Sequence, residues 1–284
     1  MNAREEISAT EAQSAERRQK GISPFRLNPA VHLRWIKRAL TAFVTLLAVI
    51  LSAPRCGAVT SAEQIFLEQG SREYAEGHFE QAAASFGQAA AISPSPGTLQ
   101  NLGTAEWQRG DAGAAILAWE RSQWLDPLNA STRGNLRFAR RARFIDAPEL
   151  AWYEICSTWL PVNAWPWIAS LSFWLAAAMV LLPSIFRWRR ASWHQALAAS
   201  GFAIFLLTLP AMAGVQTRAK MGVVLLRDTP LRLTPTSDAE NVARLAAGDV
   251  ARQERERGNY IFVRTSTEAG WIERSQLGLI SRSE

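Results

Sequence analysis

Small, aromatic and polar residues recur at fixed offsets in two segments of this chain. Residues 77–94 read GHFEQAAASFGQAAAISP, and residues 110–127, 33 positions on, read GDAGAAILAWERSQWLDP. Each carries Gly, then Ala five residues later, an aromatic four after that and Pro after eight more. A period near 34 with this order predicts helix–turn–helix units that stack on one another. In the first unit Phe66, Gly70 and Tyr74 share one face of a helix that Gly77 ends, and Ala82, Phe86 and Ala89 pack the second helix. In the second unit Leu99, Leu102 and Gly103 belong to the first helix. Ala115, Trp119 and Ser122 belong to the second, which Asp126-Pro127 stops. Residues 129–144, NASTRGNLRFARRARF, predict one more helix. Leu136, Phe138 and Ala139 would cover the last unit, with Arg133, Arg137, Arg140, Arg141 and Arg143 in solvent, the polar outer face expected of a terminal cap.

The spacing changes after Asp146-Ala147-Pro148. Trp152, Ile155, Cys156 and Trp159 stand at i, i+3, i+4 and i+7, predicting an amphipathic helix within 148–163 whose Trp-rich face suits a membrane interface. Residues 165–182 and 196–215 carry no charge and have the length to cross a bilayer, giving a two-span hairpin over 165–215. Residues 219–281 then read as short β-branched and aromatic runs at 221–226, 242–245, 249–253, 260–263 and 270–272, with an irregular loop around Pro230 and Pro235. Strands of this length and spacing predict a small all-β barrel.

The formal charge of +6 adds a membrane topology, because its basic residues sit beside apolar runs. Residues 1–30 are polar. Arg34, Lys37 and Arg38 then precede the apolar run 39–53, ALTAFVTLLAVILSA, as in a secretory signal. Two readings of 1–58 stand: a polar leader with a signal cleaved after Ala53 or Ala58, or an uncleaved signal anchor. Arg187, Arg189 and Arg190, between the two apolar runs, favour a cytoplasmic turn. Signal and turn together place 61–145 and 219–284 outside the cytoplasm. The five arginines of 133–143 argue the other way, but they lie about 20–30 residues from the span, at the limit of that rule. Of the twelve Trp, those from Trp152 to Trp193 cluster near the apolar runs, where the membrane boundary favours them. Trp107, Trp119 and Trp271 read as core.

Little in the chain suggests reaction chemistry. Its three His (His32, His78 and His194) lie in separate segments with no metal-ligand spacing, and Cys56 and Cys156 form no framework. There is no Walker-type phosphate loop and no nucleophile elbow. Glu73 with Glu76, and Asp249 with Glu254, are better explained as solvated faces than as catalytic pairs. The expectation is a protein that is no enzyme, with no cofactor and no metal. Nucleic-acid binding is also unexpected, since the basic residues do not follow one folded face.

Residues 63–127 resemble tetratricopeptide repeats, as two full units plus a cap over 61–144. Residues 219–281 resemble bacterial SH3-like domains, on TPLR, LAAGD, RGNYIFVRT and GWIERSQL in that order. The fold class is therefore multi-domain: α-helical tetratricopeptide repeats, a transmembrane helical hairpin and a small all-β SH3-like barrel. The whole arrangement over about 39–281 is similar to the BatE-type proteins of bacterial aerotolerance operons, although the long leader departs from that pattern. This resemblance implies a protein of the bacterial inner membrane. Its repeat and SH3-like domains would lie in the periplasm, and it would work beside von Willebrand A-domain membrane proteins and a MoxR-type AAA+ ATPase.

By resemblance to peptide-binding repeats, a partner groove would be lined by the first helix of each unit. It would take Glu68, Ser71 and Tyr74, then Gln100, Asn101, Thr104 and Trp107, then Asn135. Asn101 and Asn135 are 34 apart and each precedes Leu, where an amide can bond a ligand backbone or simply be solvated. Tyr260, Phe262 and Trp271 are the SH3-like aromatics, most of them expected in the core of so small a barrel. Two functions follow as expectations: a protein scaffold working through the groove, or a peptidoglycan-binding or envelope-sensing protein working through the SH3-like domain.

Overall fold

Five helices follow one another at the start of the part of the chain that the computed structural model describes, residues 61–185 and 192–281. The leader and signal-like segment of 1–58 and the arginine turn at 187–190 lie outside the described residues. The helices are α1 (Ser61–Ala75), α2 (Phe79–Ile92), α3 (Pro96–Gln108), α4 (Ala112–Leu125) and α5 (Ala130–Arg143), each packed on the next. Their starts are capped by residues the sequence supplies. Ser95 Oγ accepts from the Thr98 amide, Asp111 from the Ala114 amide, and Asn129 from those of Ser131 and Thr132.

The 33-residue repeat reappears as repeated contacts. A Cβ on Gly70 would stand 2.9 Å from the Phe86 ring, and one on Gly103 would stand 2.6 Å from Trp119. In both pairs the missing side chain lets an aromatic from the second helix lie on the first. Gly77 and Gly110, again 33 apart, turn the chain at φ +82° and +91°, a region other residues enter at a cost. Ala82, Ala89, Ala105 and Ala115 are fully buried where helices meet. α5 departs from expectation in two details. Phe138 is 60% exposed and leaves the covering role to Leu136 and Ala139. Arg140 is not free in solvent but pairs with Glu120 of α4.

After α5 comes α6 (Trp152–Ser157), shorter than the helix expected within 148–163. Two long helices follow, α7 (Ala164–Ile185) and α8 (Ser192–Arg218), packed side by side. Gly201 permits the approach, since its Cβ would stand 2.9 Å from the Ser172 carbonyl oxygen. Both helices are long and apolar enough to span a membrane. Trp167, Trp174 and Leu207 are 66%, 66% and 74% exposed, so the hairpin leaves large apolar side chains uncovered by protein.

The C-terminal region is a seven-stranded antiparallel sheet, ordered β3-β2-β6-β5-β4-β1-β7. The strands are β1 (Met221–Val224), β2 (Thr229–Arg232), β3 (Asn241–Leu245), β4 (Val250–Arg257), β5 (Tyr260–Arg264), β6 (Ala269–Glu273) and β7 (Leu277–Leu279). Thr229–Arg232 is thus a strand and not an irregular loop. Pro230 is tolerated because β2 meets β6 only at Arg232, so the missing N–H faces no ladder on that side. Val224, Leu231, Leu245, Ala251, Ile261, Val263, Ile272 and Leu277 form one core with a member from every strand.

A second core joins this sheet to the helices. Ile116, Leu117 and Trp119 of α4, Leu136 and Ala139 of α5, and Met221, Val223 and Ile280 pack together. The approach is close. A Cβ on Gly113 would stand 2.2 Å from the Leu225 carbonyl oxygen, and one on Gly278 would stand 2.2 Å from Leu117. Arg121 Nε also donates to the Leu279 carbonyl at 3.0 Å.

Added volume at Ala115, fully buried in this shared core, has no free space to enter. Ala115→Leu is expected to cost about 1–3 kcal/mol through strain. In a thermal melt of the detergent-solubilised chain, Tm should fall by about 2–4 °C for each kcal/mol. An unchanged Tm would show that α4 is not packed on both sides.

Candidate functional site

The first helices of the pairs, α1 and α3, together with α5 carry the residues expected to form a groove. Their helical register sets what each can do. Glu68 and Ser71 on α1 are exposed, and both make local bonds. Gln64 donates to Glu68 at 2.9 Å, and Ser71 Oγ donates to the Leu67 carbonyl at 2.7 Å. Tyr74 is half-buried with its ring edge-on to Phe79 at 5.3 Å. On α3, Thr104 donates back to the Gln100 carbonyl.

Gln100 proves to be a structural residue. Its Oε1 accepts from Asn129 Nδ2 and Thr132 Oγ1, both at 3.1 Å, and its Nε2 donates to Ser131 Oγ at 3.3 Å. Its amide therefore ties α3 to the start of α5. Trp107 sits in an aromatic group, 6.0 Å from Trp119 and 5.7 Å from Phe138, with the Arg143 guanidinium 5.6 Å over its ring. It is half-buried and not wholly core. Asn101 is exposed and Asn135 half-buried, and neither side chain has a hydrogen-bond partner among the described residues. The structure thus brings Gln100, Trp107 and α5 into contact, while Glu68, Asn101 and Asn135 remain the polar positions with capacity to spare.

Sequence reasoning missed Phe138 and Arg143 as neighbours of Trp107. The recurrence of an aromatic at Tyr74 and Trp107, 33 apart, was the available signal.

A second surface lies on the sheet. Strand alternation buries Ile261, Val263 and Ile272 and turns Tyr260, Phe262 and Trp271 to the opposite face, where all three are half-buried. Phe262 and Trp271 are register partners with ring centroids 5.3 Å apart. Arg232 donates to the Tyr260 hydroxyl at 3.0 Å and lies 5.7 Å over its ring. The expectation that most of these aromatics fill the core is therefore corrected, because isoleucine, valine and leucine fill it instead.

Titratable groups are perturbed by packing and not by convergence on a pocket. Burial raises Glu106 above its ordinary value against the pull of Arg109, and burial likewise raises Asp249. A hydrogen bond from Ser85 lowers Glu73. Among the described residues no group of His, Cys, Asp and Glu is arranged to hold a metal ion.

The most deeply placed charge is Glu154 on α6, fully buried beneath a helix whose Trp152 and Ile155 are exposed. Arg252 of β4 donates to its two oxygens at 2.7 and 3.1 Å, and the Ala151 amide donates at 2.9 Å. Burial disfavours its charge, yet the bonds from Arg252, Thr217 and Ala151 outweigh that cost and hold its carboxyl below the ordinary value. Nothing local in the sequence links Glu154 to Arg252, 98 positions on.

No protein-family profile matches this chain, and no curated protein matches it.

Since the folded value of Glu154 lies below its ordinary 4.5, its contribution is complete above that pH and disappears as pH falls through the folded value. Acid titration of the detergent-solubilised chain should show a loss of stability in that window. Glu154→Gln should abolish this step, and Glu154→Ala should cost about 3–5 kcal/mol at neutral pH by leaving Arg252 unpaired. Identical acid profiles for wild type and Glu154→Gln would show that the pair is not formed.

Proposed function

We propose that this chain is a non-enzymatic scaffold of the bacterial cell envelope, working through a tetratricopeptide groove. On this reading α1–α5 are two repeats and a cap, α7 and α8 are a membrane hairpin, and the sheet is an SH3-like barrel. The observation that carries the proposal is an asymmetry. The repeats commit the far side of α4 to the sheet and leave Asn101, on the first helix of the second unit, and Asn135, on the cap, without a hydrogen-bond partner among the described residues. A surface used neither for packing nor for chemistry is the one available to a partner peptide or helix. The order of segments, similar to BatE-type proteins, points to von Willebrand A-domain membrane proteins and a MoxR-type ATPase system as partners. It also points to the inner membrane, with both soluble parts in the periplasm.

The sheet supports a second reading. Tyr260, Phe262 and Trp271 sit half-exposed around Arg232, as a peptidoglycan-binding surface would require. Retention of the full chain on purified cell wall, lost in Trp271→Ala with the fold intact, would favour this reading over the groove.

Reporter fusions test the topology. A reporter active only in the periplasm should work when fused after Glu284 and fail at Arg190; the reverse pattern overturns the orientation.

Groove function predicts a separation of binding from folding. Asn101→Ala combined with Asn135→Ala should reduce co-purification of membrane partners about tenfold, since two hydrogen bonds of about 0.5–1.5 kcal/mol each are lost. Its Tm should stay near wild type. Gln100→Ala should behave oppositely, lowering Tm by untying α3 from α5. Partner recovery unchanged in the double Asn variant would remove the groove from consideration.

A further inference from the structure

Where a third helix pair would continue the stack, the chain leaves a cleft of about 430 Å³, lined by Gln123, Ala130, Arg133, Leu136, Arg137 and Arg140. That volume is within the range of small-molecule sites. Arg133, Arg137 and Arg140 stand at i, i+4 and i+7, so one face of α5 presents all three to the cleft. Their charge is barely compensated. α5 carries no acidic residue and none lines the cleft; Glu120 of α4, on the wall of the neighbouring cavity, pairs with Arg140. Arg140 keeps a buried Nε with no hydrogen-bond partner among the described residues. Arg133 makes only a 3.4 Å bond to the Leu128 carbonyl, and Arg137 has no partner among the described residues. Three guanidinium groups on one helix face, two of them without an acidic partner among the described residues, suit an anion, and phosphate above all, which their planar donors bind in pairs.

The position of the cleft says where the phosphate comes from. Gln123 and Arg140 form a wall common to this cleft and to a second cavity of about 200 Å³, which also touches Trp124, Thr158 and Arg218. Arg218 ends α8, stacks 5.2 Å over Trp124 and donates to Ser157 Oγ at 3.1 Å. The cleft is thus one side chain removed from the mouth of the helical hairpin. The segment joining α5 to the hairpin exposes apolar rings throughout. Phe144 is 97% exposed, Trp152 67% and Trp159 62%. Rings of this kind enter the headgroup region of a bilayer.

We propose that the arginine cleft of α5 binds the phosphate of an anionic phospholipid headgroup, seating the repeats on the membrane surface. The proposal rests on reading α7 and α8 as membrane spans. It gives three of the five arginines of 133–143 a role on a membrane face where the charge rule for loops does not call for them.

Native mass spectrometry of the full chain in neutral detergent, titrated with phosphatidylglycerol, phosphatidylcholine or glycerol phosphate, provides the test. Phosphatidylglycerol should bind at least tenfold more tightly than phosphatidylcholine. Arg133→Gln with Arg137→Gln should remove that preference. Arg255→Gln with Arg257→Gln, which takes the same charge from exposed positions of β4, should leave it intact. On the wild-type chain, a photoreactive phosphatidylglycerol should cross-link within 130–140, a result independent of any variant. Equal binding of both lipids, or a cross-link elsewhere, overturns the proposal. Glycerol phosphate binding as tightly as the lipid makes the cleft a free-anion site and overturns it too. Alkaline carbonate extraction separates the two levels. Release of the chain from membranes defeats the span reading itself, whereas retention without a lipid preference defeats only the headgroup site.

Discussion

The burial of α4 on two sides is the constraint on which the rest of this structure depends. One face of the helix takes the Gly103–Trp119 contact that defines the second repeat, and the other carries Ile116 and Leu117 into β1 and β7. A helix buried all round is apolar all round, and AGAAILAWERSQWL has only three residues that carry charge or an amide. Close approach does the rest. Gly113 removes a side chain where α4 meets the Leu225 backbone, so a substitution there must push the sheet away from the repeats, and Gly278 leaves room for the Leu117 side chain. The repeats and the sheet, separated in sequence by the hairpin, are therefore one packed body. The hairpin must therefore bring the chain back beside the repeats.

Much of this was legible in the sequence, and the physical reasons are specific. Gly77 and Gly110, and Phe86 and Trp119, act within their own turn or pair, so local pattern was enough to place them. The uncharged runs were equally plain. What escaped was non-local. Ile116 and Leu117 are covered by β1 and the end of the sheet, and no local pattern names that cover. Strand alternation in YIFVR is symmetric, and only the fold decides that Ile261 and Val263 go in while Tyr260 and Phe262 go out. At the groove, Gln100 looked like a free amide until Asn129, Ser131 and Thr132 came beside it.

The polar links complement the apolar ones. Glu154 fixes a six-residue helix, too short to be stable alone, by joining β4 through Arg252. Arg218 joins α8 to Trp124 and to Ser157. The body formed by repeats and sheet is thus tied to the hairpin at its mouth by ionic and hydrogen-bonded contacts. Their geometry is directional, unlike that of the apolar core, and they fix how the body sits on the two long helices.

The two-sided burial of α4 also sets an order of events during synthesis. The outer face of α4 is complete at residue 125, but β7, which covers part of it, is made more than 150 residues later. Between those moments the ribosome must deliver both long apolar helices. Ile116 and Leu117 therefore wait uncovered while the hairpin is made, and the packed body closes only when its last strand arrives. Its folding is thereby made conditional on the hairpin having brought the chain back to the repeats.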